Sequence, residues 1–432
     1  MNRPVKNSSI FTDLRTPLMQ NQNNALREEA PKPNSTPIAP KHGSPWLAVL
    51  SVATGAFALV TTEFLPVGLL PAIAAELGIT EGIAGMLVTV PGIVAALAAI
   101  LVTVGVGKTD RRYVIWGLTA TLVLSNAIVT LSHSFPLILV GRALLGIGVG
   151  GFWAIGPALS TRLVSPEAAT RATAVVFAGV SVGTVAGVPA GAFLGELFGW
   201  RTAFAAAGAV GLVVLLTQMY LLPKLPPEKA ITFRQLPELL RVSKARLGIL
   251  ATVLVFLGQF AAYTYITPFL SQVTHLTATT ISSLLLAYGA AGFIGNLIGG
   301  ALVARSVRTS LIVTGITLGV AIGALPLLGA NAWAATALVV VWGVGFGMMP
   351  ISVQTWIFQA APHAMESGGA VFVSIVQIAL ASGALVGGMT VDHTGVWGAM
   401  ALGGVLALAM AAVIAVWAKD DGQPSVKLHA VH

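Results

Sequence analysis

Two ionisable side chains interrupt stretches that are otherwise apolar: Glu63 in ALVTTEFLPVGLLP and Arg142 in LILVGRALLGIG. A charged group inside a bilayer persists only if it pairs, faces water or, for an acid, takes up a proton. Desolvation disfavours the charged form of a carboxyl group, and a neighbouring cation favours it. That opposition is the chemistry of a proton-coupling site, and Glu63 with Arg142 is the candidate pair. The alternative for Glu63 is a permanent structural ion pair. For Arg142 it is capping of main-chain carbonyls, or snorkelling toward the interface. A second pattern is glycine at four-residue intervals, at Gly179, Gly183, Gly187, Gly191 and Gly195. These lie on one helical stripe and permit the close backbone approach of small-xxx-small packing. Pro189 predicts a kink among them.

Other chemistries find no support. The chain has no cysteine, which excludes disulfides, thiol catalysis and thiolate metal sites. Its seven histidines show no ligand spacing, and no GxxxxGK[ST] loop occurs. No Ser–His–Asp or paired-carboxylate constellation stands out either. The expectation is no enzyme, no cofactor and no metal.

The elements that must position these residues follow from composition. Only 9% of the 432 residues are charged and 56% are hydrophobic, against roughly 25% charged in soluble proteins. Lipid must therefore be the solvent for most of the chain. Applying the requirement of about 20 apolar residues per span predicts twelve helices, at 46–74, 82–105, 113–132, 136–160, 170–195, 201–222, 247–272, 279–303, 309–329, 333–360, 367–391 and 395–418. Residues 1–45, with the run Pro31–Pro45, read as a disordered N-terminal tail. The remaining divisions are a bundle over 46–222, a central loop over 223–246, a second bundle over 247–418 and a tail over 419–432.

Basic residues give the orientation. With the N-terminus inside, six lie in the N-terminal tail, three after the second span and two after the fourth. Six more lie in the central loop, two after the eighth span and two in the C-terminal tail. Only Arg201 falls on the other side, and Arg142 lies within a span. The positive-inside rule then makes both termini cytoplasmic. The net charge of +8 reads as topology and anionic-lipid contact, not nucleic-acid binding.

The halves echo each other. Gly105–Arg112 (GVGKTDRR) is matched by Gly300–Arg308 (GALVARSVR), and Gly187 and Gly191 by Gly383 and Gly387. Repeats with a midplane site between them are a transporter plan.

In order along the chain stand Thr62–Pro66 with Gly68–Pro71, Asp110-Arg111-Arg112, Gly141–Gly146 with Gly151–Ala154, and Gly187–Gly191 with Gly199-Trp200-Arg201. These residues resemble the major facilitator superfamily, in its twelve-span drug:proton antiporter branch. Thr109–Val114, Gly150–Ala154, Gly258–Phe260, Tyr263–Pro268, Ser306-Val307, Trp342-Gly343 and Thr355–Ile357 are most similar to purine ribonucleoside efflux pumps. Arabinose-type sugar efflux and amphenicol efflux proteins share much of the pattern. Two departures stand out: Val106 replaces a glycine in the hinge-loop motif, and Ala304 stands where the second half would carry its Asp.

The resemblance implies an all-α membrane protein of two six-helix bundles. It would export small polar molecules by alternating access across the cytoplasmic (inner) membrane in exchange for protons. The favoured substrates are purine ribonucleosides, the alternatives sugars or chloramphenicol-like drugs; a membrane-embedded enzyme or non-transporting sensor is the rival class. The family gives the span-four Arg142 a part in proton transfer and associates the Gly183, Gly187, Pro189, Gly191 stretch with export. Asp110, Arg111 and Arg112 are the expected cytoplasmic gate, Asp110 bonding a helix N-terminus in the other half, or topology residues only. Expected substrate contacts are Thr61, Trp153, Gln259, Tyr263, Gln354 and Trp356, with Gln377 a further addition; each is equally open to a packing or interfacial role. Partners are a small-molecule substrate, protons and membrane lipid, with the chain acting as a monomer.

Overall fold

The computed structural model describes residues 44–226, 243–360 and 365–418, with the side chains of 365–370 left out. The expected tails and most of the central loop lie outside the described residues. Among those described, twelve helices are long and apolar enough to cross a membrane. They are α1 (Pro45–Leu77), α2 (Glu81–Gly105), α3 (Arg111–Leu131), α4 (Phe135–Thr161), α5 (Pro166–Phe198), α6 (Trp200–Leu221), α7 (Ser243–Gln272), α8 (Ala278–Arg305), α9 (Val307–Leu328), α10 (Ala332–Ala360), α11 (Met365–Thr394) and α12 (Val396–Trp417).

Local chemistry sets the helix ends. Ser44 caps α1 by accepting from the Trp46 amide, with Pro45 in the first turn. Gly78 ends α1 in the left-handed region, φ 64°. Gly199 and Gly395, φ 85° and 82°, join α5 to α6 and α11 to α12, the same joint in each half. Asp110 caps α3, and its counterpart ahead of α9 is Ser306, whose side chain accepts from the Thr309 amide. Ala304 lies inside α8, and the cap of α9 is a neutral serine where α3 has an acid.

One core gathers residues between Ala48 and Leu225. A larger one runs from Ala251 to Ala418 and takes in Val67 and Val88 of the first half. The α5 glycines bear directly on α1. A methyl group added at Gly179 would lie 2.2 Å from the Ala53 carbonyl oxygen, and one at Gly187 would lie 2.0 Å from Thr61 Oγ1. Added at Gly191 and Gly195, it would meet Leu65 and Leu69 at 2.1 and 2.2 Å. The stripe is a packing seam, as the spacing predicts. Where the kink is expected the helix has a π-turn over Gly183–Gly187, ending two residues before Pro189. Proline has no N–H to close the α-helical bond there.

Candidate functional site

Glu63 and Arg142 are both buried, at 3% and 0% exposure, and α1 and α4 bring them together. They do not pair through the carboxylate. The guanidinium donates from Nε to the Leu87 carbonyl (2.7 Å), from Nη1 to that of Thr62 (2.8 Å) and from Nη2 to that of Glu63 (2.8 Å). The carboxylate turns to the other half, where Gln377 Nε2 of α11 donates to Glu63 Oε1 at 3.1 Å. The expected direct pair is thus corrected to a carbonyl cap, because three main-chain acceptors occupy the guanidinium. Gln377 Oε1 and Thr61 Oγ1, both buried, have no hydrogen-bond partner among the described residues.

An aromatic group begins at Phe64, the residue after Glu63 along α1. Phe64 stacks on Phe260 across the halves, centroids 5.5 Å apart. Phe260 meets Tyr263 edge-on, and Tyr263 stacks on Tyr288 at 5.1 Å and on Phe346 at 6.2 Å. Gln259 is completely buried, donating to the Tyr288 hydroxyl (2.8 Å) and accepting from the Trp342 indole (2.7 Å). Sequence reasoning singled out Gln259 and Tyr263 but missed Tyr288, Trp342 and Phe346 as their partners. The four-residue spacing of Trp342 and Phe346 on α10 was the available signal.

Other expected contacts lie elsewhere. Trp356 donates to the Lys244 carbonyl (3.0 Å) and packs over Gly248 where α7 begins, so its indole is committed to a helix end. Trp153 is half-buried between α4 and α5, against Phe152 and Phe177. Gln354 is half-buried, with no hydrogen bond to a described residue that would bring it to Glu63.

Among the described residues, Asp110 bonds within its own half. Its Oδ1 accepts from the Arg112 amide and from Leu225 N, both at 3.0 Å, and its Oδ2 lies 3.4 Å from Arg112 Nε. The residue expected to latch the other half in the outward-facing state here ties the segment after α6 to the start of α3. Arg112 also lies over the Tyr113 and Trp116 rings, and the Arg111 amide donates to the Leu225 carbonyl.

At the opposite end of the bundle, described residues cross-link the halves. Asp392 accepts from Thr80 Oγ1 (3.0 Å) and the Gly82 amide (3.2 Å). Gln272 donates to Glu81 (2.8 Å) and Thr279 to Glu196 (2.9 Å). At mid-depth Ser374 donates to the Ala96 carbonyl. The molecule is therefore closed at the Glu81–Asp392 end.

A family model described as Major Facilitator Superfamily matches residues 52–381 and 249–431. The chain belongs to the major facilitator superfamily. Among members of this superfamily, a purine ribonucleoside efflux pump, NepI of Escherichia coli, is 37% identical over 369 residues, covering 85% of this chain and 93% of that protein. Two solved transporters share the superfamily fold. The xylose transporter XylE of E. coli, in a partially occluded inward-open conformation, has TM-score 0.69 at 12% identity, covering 88% of this chain and all of that one. The human organic anion transporter MFSD10 (TETRAN) has TM-score 0.63 at 18% identity, covering 86% of this chain and all of that one.

Proposed function

We propose that this major facilitator protein is a proton-coupled exporter of small polar molecules, purine ribonucleosides first, working as a monomer by alternating access. It would lie in the cytoplasmic membrane with both termini inside, so that the closed Glu81–Asp392 end faces outward. The observation that carries the reading is Glu63, a buried carboxyl group whose side-chain partner, Gln377, belongs to the opposite half. A carboxyl group held by an amide, not a cation, is free to be charged or neutral as its access to water changes. A primary amide donates to the carboxylate or accepts from the acid. Glu63 would take up a proton from outside and release it inside while substrate leaves. The 37% identity to a purine ribonucleoside efflux pump supports the substrate class.

The test is uptake into proteoliposomes with and without an imposed pH gradient, comparing inosine, arabinose and chloramphenicol. Each pH unit supplies about 1.4 kcal/mol per proton, a tenfold concentration ratio for one-for-one exchange. Glu63→Gln keeps an acceptor for Gln377 and is expected to lose gradient-driven accumulation while retaining downhill exchange. Full pH-driven transport by that variant rejects the coupling role, and accumulation of arabinose or chloramphenicol in place of inosine reassigns the substrate.

A further inference from the structure

The carbonyls that hold Arg142 are not arbitrary. Along an α-helix the carbonyl of residue i accepts the amide of residue i+4, and proline has no amide hydrogen to give. Pro66 stands four residues after Thr62 in α1, and Pro91 stands four residues after Leu87 in α2. Two of the three acceptors that Arg142 fills are thus the two carbonyls these prolines leave open. Each would otherwise be an unmet acceptor in a dry interior. The third, at Glu63, is the next residue along α1. The backbone of α4 is shaped for this reach. Gly146, one turn beyond Arg142, lies so close to α2 that an added methyl group would sit 2.5 Å from the Pro91 carbonyl oxygen and 3.0 Å from Pro91 Cα.

We propose that Arg142 is a positioning residue, a bolt through α1, α2 and α4 seated in the two carbonyls opened by Pro66 and Pro91, which fixes the backbone under Glu63 and carries no proton. Because its bonds go to main-chain oxygens, gain or loss of a proton at the Glu63 carboxyl breaks none of them. The guanidinium shape is needed, since a lysine ammonium is a point donor on a stem that cannot span carbonyls on two helices in fixed directions. The proton step itself rests on the reading of Glu63 above; the bolt does not.

The experiment is a mutant cycle on the full chain, with Arg142→Gln, Pro66→Ala/Pro91→Ala, the triple variant, and Arg142→Lys. Unfolding midpoints in detergent need no substrate; inosine exchange and its pH profile are read in proteoliposomes. In the parent, Arg142→Gln and Arg142→Lys are each expected to lower the midpoint and to cut exchange at least tenfold. With alanine at 66 and 91, Arg142→Gln is expected to cost less than half as much in midpoint. Exchange should then stay within threefold of its alanine parent, with the same pH midpoint. An equal loss in both backgrounds overturns the bolt, as does full activity of Arg142→Lys or a pH midpoint that moves with Arg142→Gln. Should the alanine parent not transport, the unfolding cycle still decides. If the cycle holds while Glu63→Gln transports normally under a pH gradient, the coupling reading fails and the bolt stands.

Discussion

Alanine substitutions along the α5 stripe should differ in cost according to what each new methyl group meets. At Gly179 it meets main chain: the Ala53 carbonyl oxygen at 2.2 Å, with the Ala53 carbonyl carbon at 2.9 Å. Ordinary contact begins near 3.4 Å, so α5 must retreat from α1 by about 1.2 Å. Overpacking of this kind costs about 1–3 kcal/mol, partly offset by up to about 1 kcal/mol from alanine's better helix propensity. The expected net loss is about 1–2 kcal/mol. At Gly191 the methyl group meets only Leu65 Cδ1 at 2.1 Å, the next atom being at 3.5 Å. A leucine tip can rotate away, so Gly191→Ala should fall within about 0.5 kcal/mol of the parent, near the offset set by propensity. Gly187→Ala, against the stiff β-branched Thr61, should lie between them. The assay is SDS-driven unfolding in mixed micelles, followed by the fluorescence of the nine tryptophans. Gly105→Ala, with nothing within 4 Å, is the control. If Gly191→Ala proves as damaging as Gly179→Ala, backbone proximity is not what the stripe provides.

Three further outcomes are expected. Asp392→Ala removes two bonds across the closed end, each worth about 0.5–1.5 kcal/mol net; with no native cysteine in the chain, a single Thr267→Cys reporter should then label faster with an impermeant maleimide, and an unchanged rate would sink the idea. Gln259→Leu strands the Trp342 indole N–H and should cost about 1–3 kcal/mol in the same micelle unfolding; a neutral result would mean that the amide is not structural. Trp356→Phe loses the bond to the Lys244 carbonyl but should leave the relative uptake of inosine, arabinose and chloramphenicol as it was, and an altered preference would place Trp356 at the substrate after all.

Hydropathy made the spans legible because lipid imposes a length and a composition on every one of them. The predicted and observed ends agree to within about four residues, since caps such as Ser44, Asp110 and Ser306 lie outside the apolar runs. The pairing of α5 with α1 was half legible: glycine spacing announced a close contact without naming its partner. Glu63 and Arg142 were found by type alone, being charges where charges are expensive. Where their side chains point was not legible, because depth along two helices says nothing about rotation around them. Glu63 turned to α11 and Arg142 to main chain. The decisive clue was local, in Pro66 and Pro91, yet it becomes readable only once α2 and α4 are known to be neighbours. Trp356 misled because an aromatic on the right helix was at the wrong height.

The ties across the Glu81–Asp392 end are made by Thr80, Gly82, Gln272 and Thr279 with three acidic side chains, Glu81 half-buried and Glu196 and Asp392 exposed. Contacts inside each half, and in the interior of the junction, are instead dry and often backbone to backbone. Water replaces the first kind at little net expense and cannot replace the second. The rim of the junction is thus loose, while its interior is as dry and close as the inside of either bundle. The ease with which that end parts becomes a trait adjustable from a handful of rim positions, without disturbing the buried Gln377–Glu63 bond between the halves.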